Sequence, residues 1–303
     1  MHAFDPHALE CLAAIVEEGG FERAAVRLSI TQSAVSQRLR SLEVQAGTVL
    51  IVRSRPLRAT AAGRLLLRHA MQLRLLRADL DHDLHGLAPG ASSAQEQERM
   101  SIAVNADSIA TWVLPALTPL VAGGLPLEII ADDQDFTQVW LREGQVLGCV
   151  TALPQALRGC KAVPLGVMRY VAVASPAYAA ARAPLGLTAH TARAMAFIAF
   201  NRKDELQARF VRKACRLQGL VLNQRFVPSA EGQVQAVLAG WGASVVPELK
   251  VRHLLDSGAL VNLSPGSVLL VNLYWHCWNL NSGVLDALTR ALTDAAAKAL
   301  APG

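Results

Sequence analysis

Cysteine is scarce and scattered: Cys11, Cys149, Cys160, Cys215 and Cys277 are the five in a chain of 303 residues, and no C-x-x-C occurs. An odd, dispersed set argues against a disulfide framework or a thiolate metal site and reads as reduced core thiols. Long apolar runs are missing as well. Two stretches, 108–127 and 257–285, hold no Asp, Glu, Lys or Arg. The first is broken by Pro115, Pro119, Gly123, Gly124 and Pro126, the second by Asn262, Pro265, Asn272, His276 and Asn279. Neither offers the ~20 continuous apolar residues of a membrane-spanning helix. The first basic residue is Arg23, well after Asp5, so the start does not read as a signal peptide and a cytoplasmic protein is expected. Catalytic and nucleotide signatures are absent too: there is no G-x-x-x-x-G-K-[ST], G-x-S-x-G or H-E-x-x-H, and Gly240-x-Gly242 precedes a strand and lacks the third glycine of a dinucleotide fingerprint. Neither an enzyme nor a cofactor is expected.

What is present is a folding chain with an uneven charge. At 52% hydrophobic and 17% charged it is too apolar for disorder and long enough for about two domains. The net charge is only +5, yet residues 20–77 carry eleven arginines against Glu22 and Glu43, a local excess of +9. From residue 90 onward the two signs nearly balance. A basic block on a neutral body is the footprint of a polyanion partner, or else a solvated surface face.

Helix signals explain where the block sits. Asp5-Pro6 reads as N-cap and first helical residue, with Leu9, Leu12, Ala13 and Val16 at helical spacing until Gly19-Gly20. A short helix over 21–28 follows, then a turn at 29–31 and a third helix over 32–45 capped by Thr31. A hairpin over 49–59 has the size of a wing. Thr60 caps a long helix over 61–87, in which Leu66, Leu73, Leu80 and Leu87 recur every seven residues beside Leu76 and Leu84. That stripe is expected to pack against a second copy of the chain. Residues 88–99 have the Pro, Gly, Ser and Gln content of a hinge.

Strands and helices alternate thereafter, which predicts parallel sheets with right-handed crossovers and two α/β lobes around a ligand crevice. Expected strands include 163–167 and 170–174 as separate elements, and one helix is expected over 108–122. The expected domains are 1–60, a linker at 61–99, and 100–303 divided into one lobe at 100–170 plus 268–303 and another at 171–267.

The strongest local signal is FERAAVRLSITQSAVSQRLRSLE, residues 21–43. Ala24 and Ala25 allow a close helix crossing, and Val35, Leu39 and Leu42 fall on one stripe. The opposite face then presents Ser33, Ser36, Gln37 and Arg40, with Gln32 at its start, a mixture suited to a major groove, although an ordinary amphipathic hairpin would share the pattern. Arg53 and Arg55 in the wing would meet phosphates or the minor groove. At NADSIATW, residues 105–112, free helix-start N–H groups and the hydroxyls of Ser108 and Thr111 could receive a carboxylate. Asn105 and Asp107 suit an ammonium, or Asp107 merely caps its helix. Asp204, Ser229 and Glu231 precede further helices as either caps or ligand-reading groups. The run from Asp79 to His85 resembles a metal-ligand cluster, but a polar helix end is the simpler reading and no metal is expected.

The segment from Asp5 to Gly63, with TQSAVSQRLRSLE and VRSRPLRATAAG, resembles the N-terminal domain of LysR-type transcriptional regulators. The likeness covers the whole chain and is closest to the ArgP/LysG branch, which regulates basic amino-acid export, through GFERAA, ITQSAVSQR, AVNADSIATWVLPAL and YWH at 274–276. Leu50-Ile51 and Ala59-Thr60 depart from the common pattern of the wing. The resemblance implies a winged helix-turn-helix, a long linker helix, and a two-lobed α/β effector domain like periplasmic binding proteins. It also implies double-stranded DNA as partner, a lysine or arginine effector with Thr151 as a further contact, a homodimer or homotetramer, RNA polymerase as an additional partner, and no membrane.

Overall fold

A computed structural model describes residues 4–52, 54, 57–87, 99–132, 136–216 and 219–302. The chain opens with α1 (Pro6–Glu17), α2 (Phe21–Arg27) and α3 (Gln32–Ala46). Each start is set locally: Asp5 accepts the His7 N–H at 3.1 Å and Thr31 Oγ1 accepts the Ala34 N–H at 3.2 Å. Gly47, at φ 67°, ends α3 in the left-handed conformation. Leu9, Leu12 and Ile15 meet Val35, Leu39 and Leu42, with Ala24 and Ala25 at the crossing. Short strands β1 (Ile51–Val52) and β2 (Arg58–Ala59) pair antiparallel as the hairpin predicts.

Helix α4 (Ala61–Leu87) begins where Thr60 Oγ1 accepts the Gly63 N–H at 3.0 Å and donates to the Val49 carbonyl at 2.8 Å. A Cβ at Gly63 would run into the Leu50 carbonyl, so the hairpin and helix can approach only at a glycine. One face of α4 is shared between two cores. Leu67 and Ala70 join the three-helix core, whereas Met71 and Leu75 join the core of the α/β region. Leu66 and Leu73 pack partly on their own chain's first core, so the seven-residue stripe is not a single interchain seam. Leu65, Leu76, Leu80 and Leu84 are exposed instead.

The α/β region runs β3 (Met100–Asn105), α5 (Ala106–Ser108), a π turn (Ile109–Val113), α6 (Leu114–Ala122), β4 (Leu127–Asp132), α7 (Thr137–Arg142), β5 (Gly148–Thr151) and β6 (Cys160–Ala174). It continues with α8 (Pro176–Arg182), α9 (Ala189–Ala194), β7 (Ala196–Ala199), α10 (Leu206–Cys215), β8 (Asn223–Phe226), α11 (Ala230–Leu238) and β9 (Ser244–Pro247). Last come α12 (Glu248–Asp256), β10 (Val261–Asn262), β11 (Leu269–Trp278) and α13 (Gly283–Ala299). The main sheet has the order β10-β6-β11-β5-β3-β4, with β9 also on β6. β3 is parallel to β4 and β5 and wholly buried, as a central parallel strand should be.

Three expectations are corrected here. The sheet is mixed, because β11 runs antiparallel to both β5 and β6. The strands expected at 163–167 and 170–174 are one 15-residue strand, β6, in which Gly166 takes φ 130° opposite a register shift between Leu273 and Tyr274. The helix expected over 108–122 contains the π turn. Pro115 has no N–H for a regular bond to residue 111, so the ladder is interrupted there. A separate parallel pair, β7 and β8, and helices α8 and α9 complete the second half.

Candidate functional sites: a polar helix face and an acidic crevice

On α3 the structure separates two faces. Gln32, Ser33, Gln37 and Arg40 are exposed and Ser36 is half-buried, while Val35, Leu39 and Leu42 face inward. Ser33 lies 2.9 Å from the Thr31 hydroxyl at the helix start. Arg58 in β2 is also exposed, whereas Arg53 and Arg55 lie outside the described residues. The basic block is not all available to a partner. Arg23 and Arg64 hold the carbonyls of Glu18 and Ala59, Arg27 pairs with Glu17, and Arg74 is buried on Glu10 and Glu17. Arg40, on the polar face, and Arg58, on the hairpin, are exposed members of the block.

A crevice lies where β3 and β4 end and α10 and α11 begin, lined by Asp107, Asp132, Phe200, Asp204, Gln207 and Gln233 among others. Its position outside the carboxyl ends of parallel strands is the usual one for ligands in α/β sheets. It leaves room for little more than a water molecule, about 20 Å³. Its described lining includes three carboxylates and no Lys, Arg or His. Asp132 accepts from Trp140 Nε1 at 3.0 Å, and Asp204 accepts the N–H groups of Phe200 and Leu206 at 2.9 and 2.8 Å. Asp204 therefore caps and lines the crevice at once. Gln207 is held by the Val245 backbone at 2.7 and 3.2 Å.

Asp107 is the electrostatic centre of the site. Burial pushes its carboxyl up from an ordinary 3.8 to about 6, against a Tyr170 hydroxyl donating at 2.9 Å and the positive charge of Lys250, and with Asp204 adding to the rise. Beside it, Asn105 Oδ1 and Nδ2 and Ser108 Oγ are buried with no hydrogen-bond partner. Such groups are rare in folded proteins and mark a place where polar contacts are still to be made. Lys203 and Phe136, whose ammonium and ring stand 4.9 Å apart, join the loop before α10 to the start of α7 beside the crevice.

The other candidates fall elsewhere. The Thr111 hydroxyl donates to the Asp107 carbonyl at 2.6 Å. Thr151 is buried in β5 and accepts the Leu153 N–H at 3.3 Å. Ser229 caps α11 by accepting the Gly232 N–H at 3.0 Å. Glu231 stands 2.9 Å from Lys250 and lines a different pocket with Thr111. His276 is buried, with Nδ1 3.2 Å from Gln138 Nε2, and burial lowers its pKa, opposed by the Leu153 backbone. Sequence reasoning missed Asp132, Phe200, Gln207, Gln233, Tyr170 and Lys250. Of these only Asp132 carried a signal, as an acid closing a strand parallel to β3.

The family model described as bacterial regulatory helix-turn-helix protein, lysR family, matches residues 6–64, and the LysR substrate binding domain matches residues 93–301. The HTH-type transcriptional regulator ArgP of Aeromonas salmonicida is 40% identical over 304 residues, covering 100% of both chains. LysG of Mycobacterium bovis is 41% identical over 292 residues, covering 96% of this chain and 93% of its own. Among solved structures, ArgP from Mycobacterium tuberculosis superposes with a TM-score of 0.82 at 40% identity over 100% of each chain. Full-length LysG from Corynebacterium glutamicum with bound effector Arg gives 0.71 at 35% identity, covering 98% of this chain and 100% of that one.

Proposed function

The chain belongs to the LysR family of bacterial transcriptional regulators, and from that premise we propose that its acidic crevice senses a basic amino acid, arginine or lysine, in the cytoplasm. The observation that carries this reading is the crevice wall itself: Asp107, Asp132 and Asp204 converge with no cation among the described lining residues. A cationic side chain or α-ammonium would be attracted there, and an acidic amino acid repelled. The unpartnered Asn105 and Ser108 groups would supply contacts to the polar end of the ligand. A crevice of about 20 Å³ cannot hold an amino acid, so entry requires the segments carrying Asp107 and Asp132 to part from those carrying Asp204 and Gln233. Ligand would thereby select among arrangements of the lobes, and the protein acts by binding rather than by catalysis. The deciding experiment is calorimetry with all twenty amino acids. Heat with arginine or lysine and none with aspartate or glutamate is expected, and binding of an acidic or apolar amino acid instead would replace this effector assignment.

DNA would be read by α3, with Ser33, Ser36 and Gln37 at base edges and Arg40 on a phosphate. Arg40→Ala should weaken all sequences to a similar degree and reduce the salt slope by about 0.9 for the lost contact. An unchanged slope in filter-binding titrations would move Arg40 off the interface. The exposed leucines of α4 would join two copies, whether in a dimer or a tetramer. Leu80, 56% exposed, is the diagnostic position, because Leu73 packs on its own chain. Leu80→Glu should give a folded monomer with much weaker operator binding in sedimentation and mobility-shift assays. An intact oligomer would exclude this face as the seam.

A further inference from the structure

A second pocket, about 390 Å³ in volume, opens on the other side of α11, between the π turn at Ile109–Val113 and helices α11 and α12. Its apolar lining includes Val234, Leu238, Leu249 and Leu254. In the same lining stands Lys250, whose side chain is only 6% exposed. The ammonium has the Glu231 carboxylate at 2.9 Å, in a geometry that completes no hydrogen bond. Three N–H donors are thus buried with one ion-pair partner among the described residues, a costly arrangement for a lysine. That partner is itself open to water, since the Glu231 side chain is 69% exposed, so it can move off the ammonium without being buried. The chain's own carboxylate therefore stands in a position that an incoming carboxylate could take.

We propose that this pocket is a second ligand site, apart from the acidic crevice, for a small carboxylate with a branched apolar body. Its carboxylate replaces Glu231 on Lys250, and its hydrocarbon part packs on Leu238, Leu249 and Leu254. The preference is opposite to that of the crevice: a buried cation among leucines takes an anion, whereas three carboxylates take a cation. Both sites share structural elements, because Lys250 acts electrostatically on Asp107 and Thr111 lies on the turn that follows Asp107.

The test uses isovalerate as probe and isoamylamine as a control of the same shape and opposite charge, each titrated into the full-length protein by calorimetry or ligand-observed NMR. Isovalerate should bind at millimolar concentration and isoamylamine should not. Glu231→Gln, which removes the competing carboxylate, should tighten isovalerate several-fold, and Lys250→Met should weaken it by about tenfold or more. Leu238→Gln supplies the same loss through the apolar wall if Lys250→Met does not fold. Saturating arginine should leave isovalerate bound. The proposal is overturned by absence of isovalerate binding in Glu231→Gln, by equal binding in Lys250→Met and the parent, or by displacement with arginine, which would place the probe in the crevice.

Discussion

Asp107→Asn should weaken arginine or lysine binding at least about tenfold and at the same time stabilise the ligand-free protein. The two effects have one cause. Burial lifts the Asp107 carboxyl to about 6, so at neutral pH the folded state holds an ionised group that its surroundings disfavour. A bound cation relieves that cost, and an amide never incurs it. For an acid whose folded pKa is raised, the destabilisation is absent below the ordinary value of 3.8 and complete above about 6. At ~1.4 kcal/mol per pKa unit the gain from Asn is on the order of 1–3 kcal/mol near pH 7, vanishing towards pH 4. Affinity for a basic amino acid should accordingly fall as pH drops through about 6 in the parent protein and lose that step in the variant. Calorimetry between pH 5 and pH 8, with thermal unfolding of the ligand-free proteins, measures both. Unchanged affinity combined with lower stability would reduce Asp107 to a helix-start residue with no ligand to meet.

Elements fixed by a few neighbouring residues were legible in the sequence. Asp5-Pro6, Thr31 and Thr60 set the starts of α1, α3 and α4 where the caps predict, and α4 spans the expected 61–87. Periodicity identified that helix but not its inward face, because burial of Leu67, Met71 and Leu75 depends on two cores that come together only in the folded chain. The same distinction explains β6. Residues 168 and 169 look like a gap locally, yet β11 pairs with β6 from Cys160 to Tyr170, and β9 and β10 pair with the rest up to Ala174, which carries the strand through. In the crevice, Asp107 and Asp204 were legible as acids at helix starts. Gln207 and Gln233 were not, since nothing in their neighbourhoods signals that α10 and α11 return to β3 and β4. Glu231 lies outside the crevice for a related reason: a position two residues from Gln233 on a helix points to a different pocket.

Arg74→Ala should lower the unfolding free energy by about 3 kcal/mol, the low end of what breaking a buried ion pair costs. Arg74 joins α4 to α1 with its side chain 3% exposed. Its Nε and Nη2 donate to Glu10 at 2.9 and 2.6 Å, and its Nη1 donates to Glu17 at 2.6 Å. Two carboxylates on one guanidinium make the fork geometry count, and lysine cannot reproduce it. Glu17 also pairs with Arg27, and both acids keep partial access to water, which limits the loss. The uncompensated group after Arg74→Ala is therefore chiefly Glu10. Adding Glu10→Gln to Arg74→Ala should recover part of the stability, while Glu10→Gln alone in the presence of Arg74 should be destabilising. That reversal of sign separates the ion pair from the packing of the arginine stem, because lost packing would be the same in both backgrounds. Denaturant unfolding of the four proteins closes the cycle. A coupling near zero would mean that α1 is held to α4 by Leu67, Ala70 and their apolar neighbours alone.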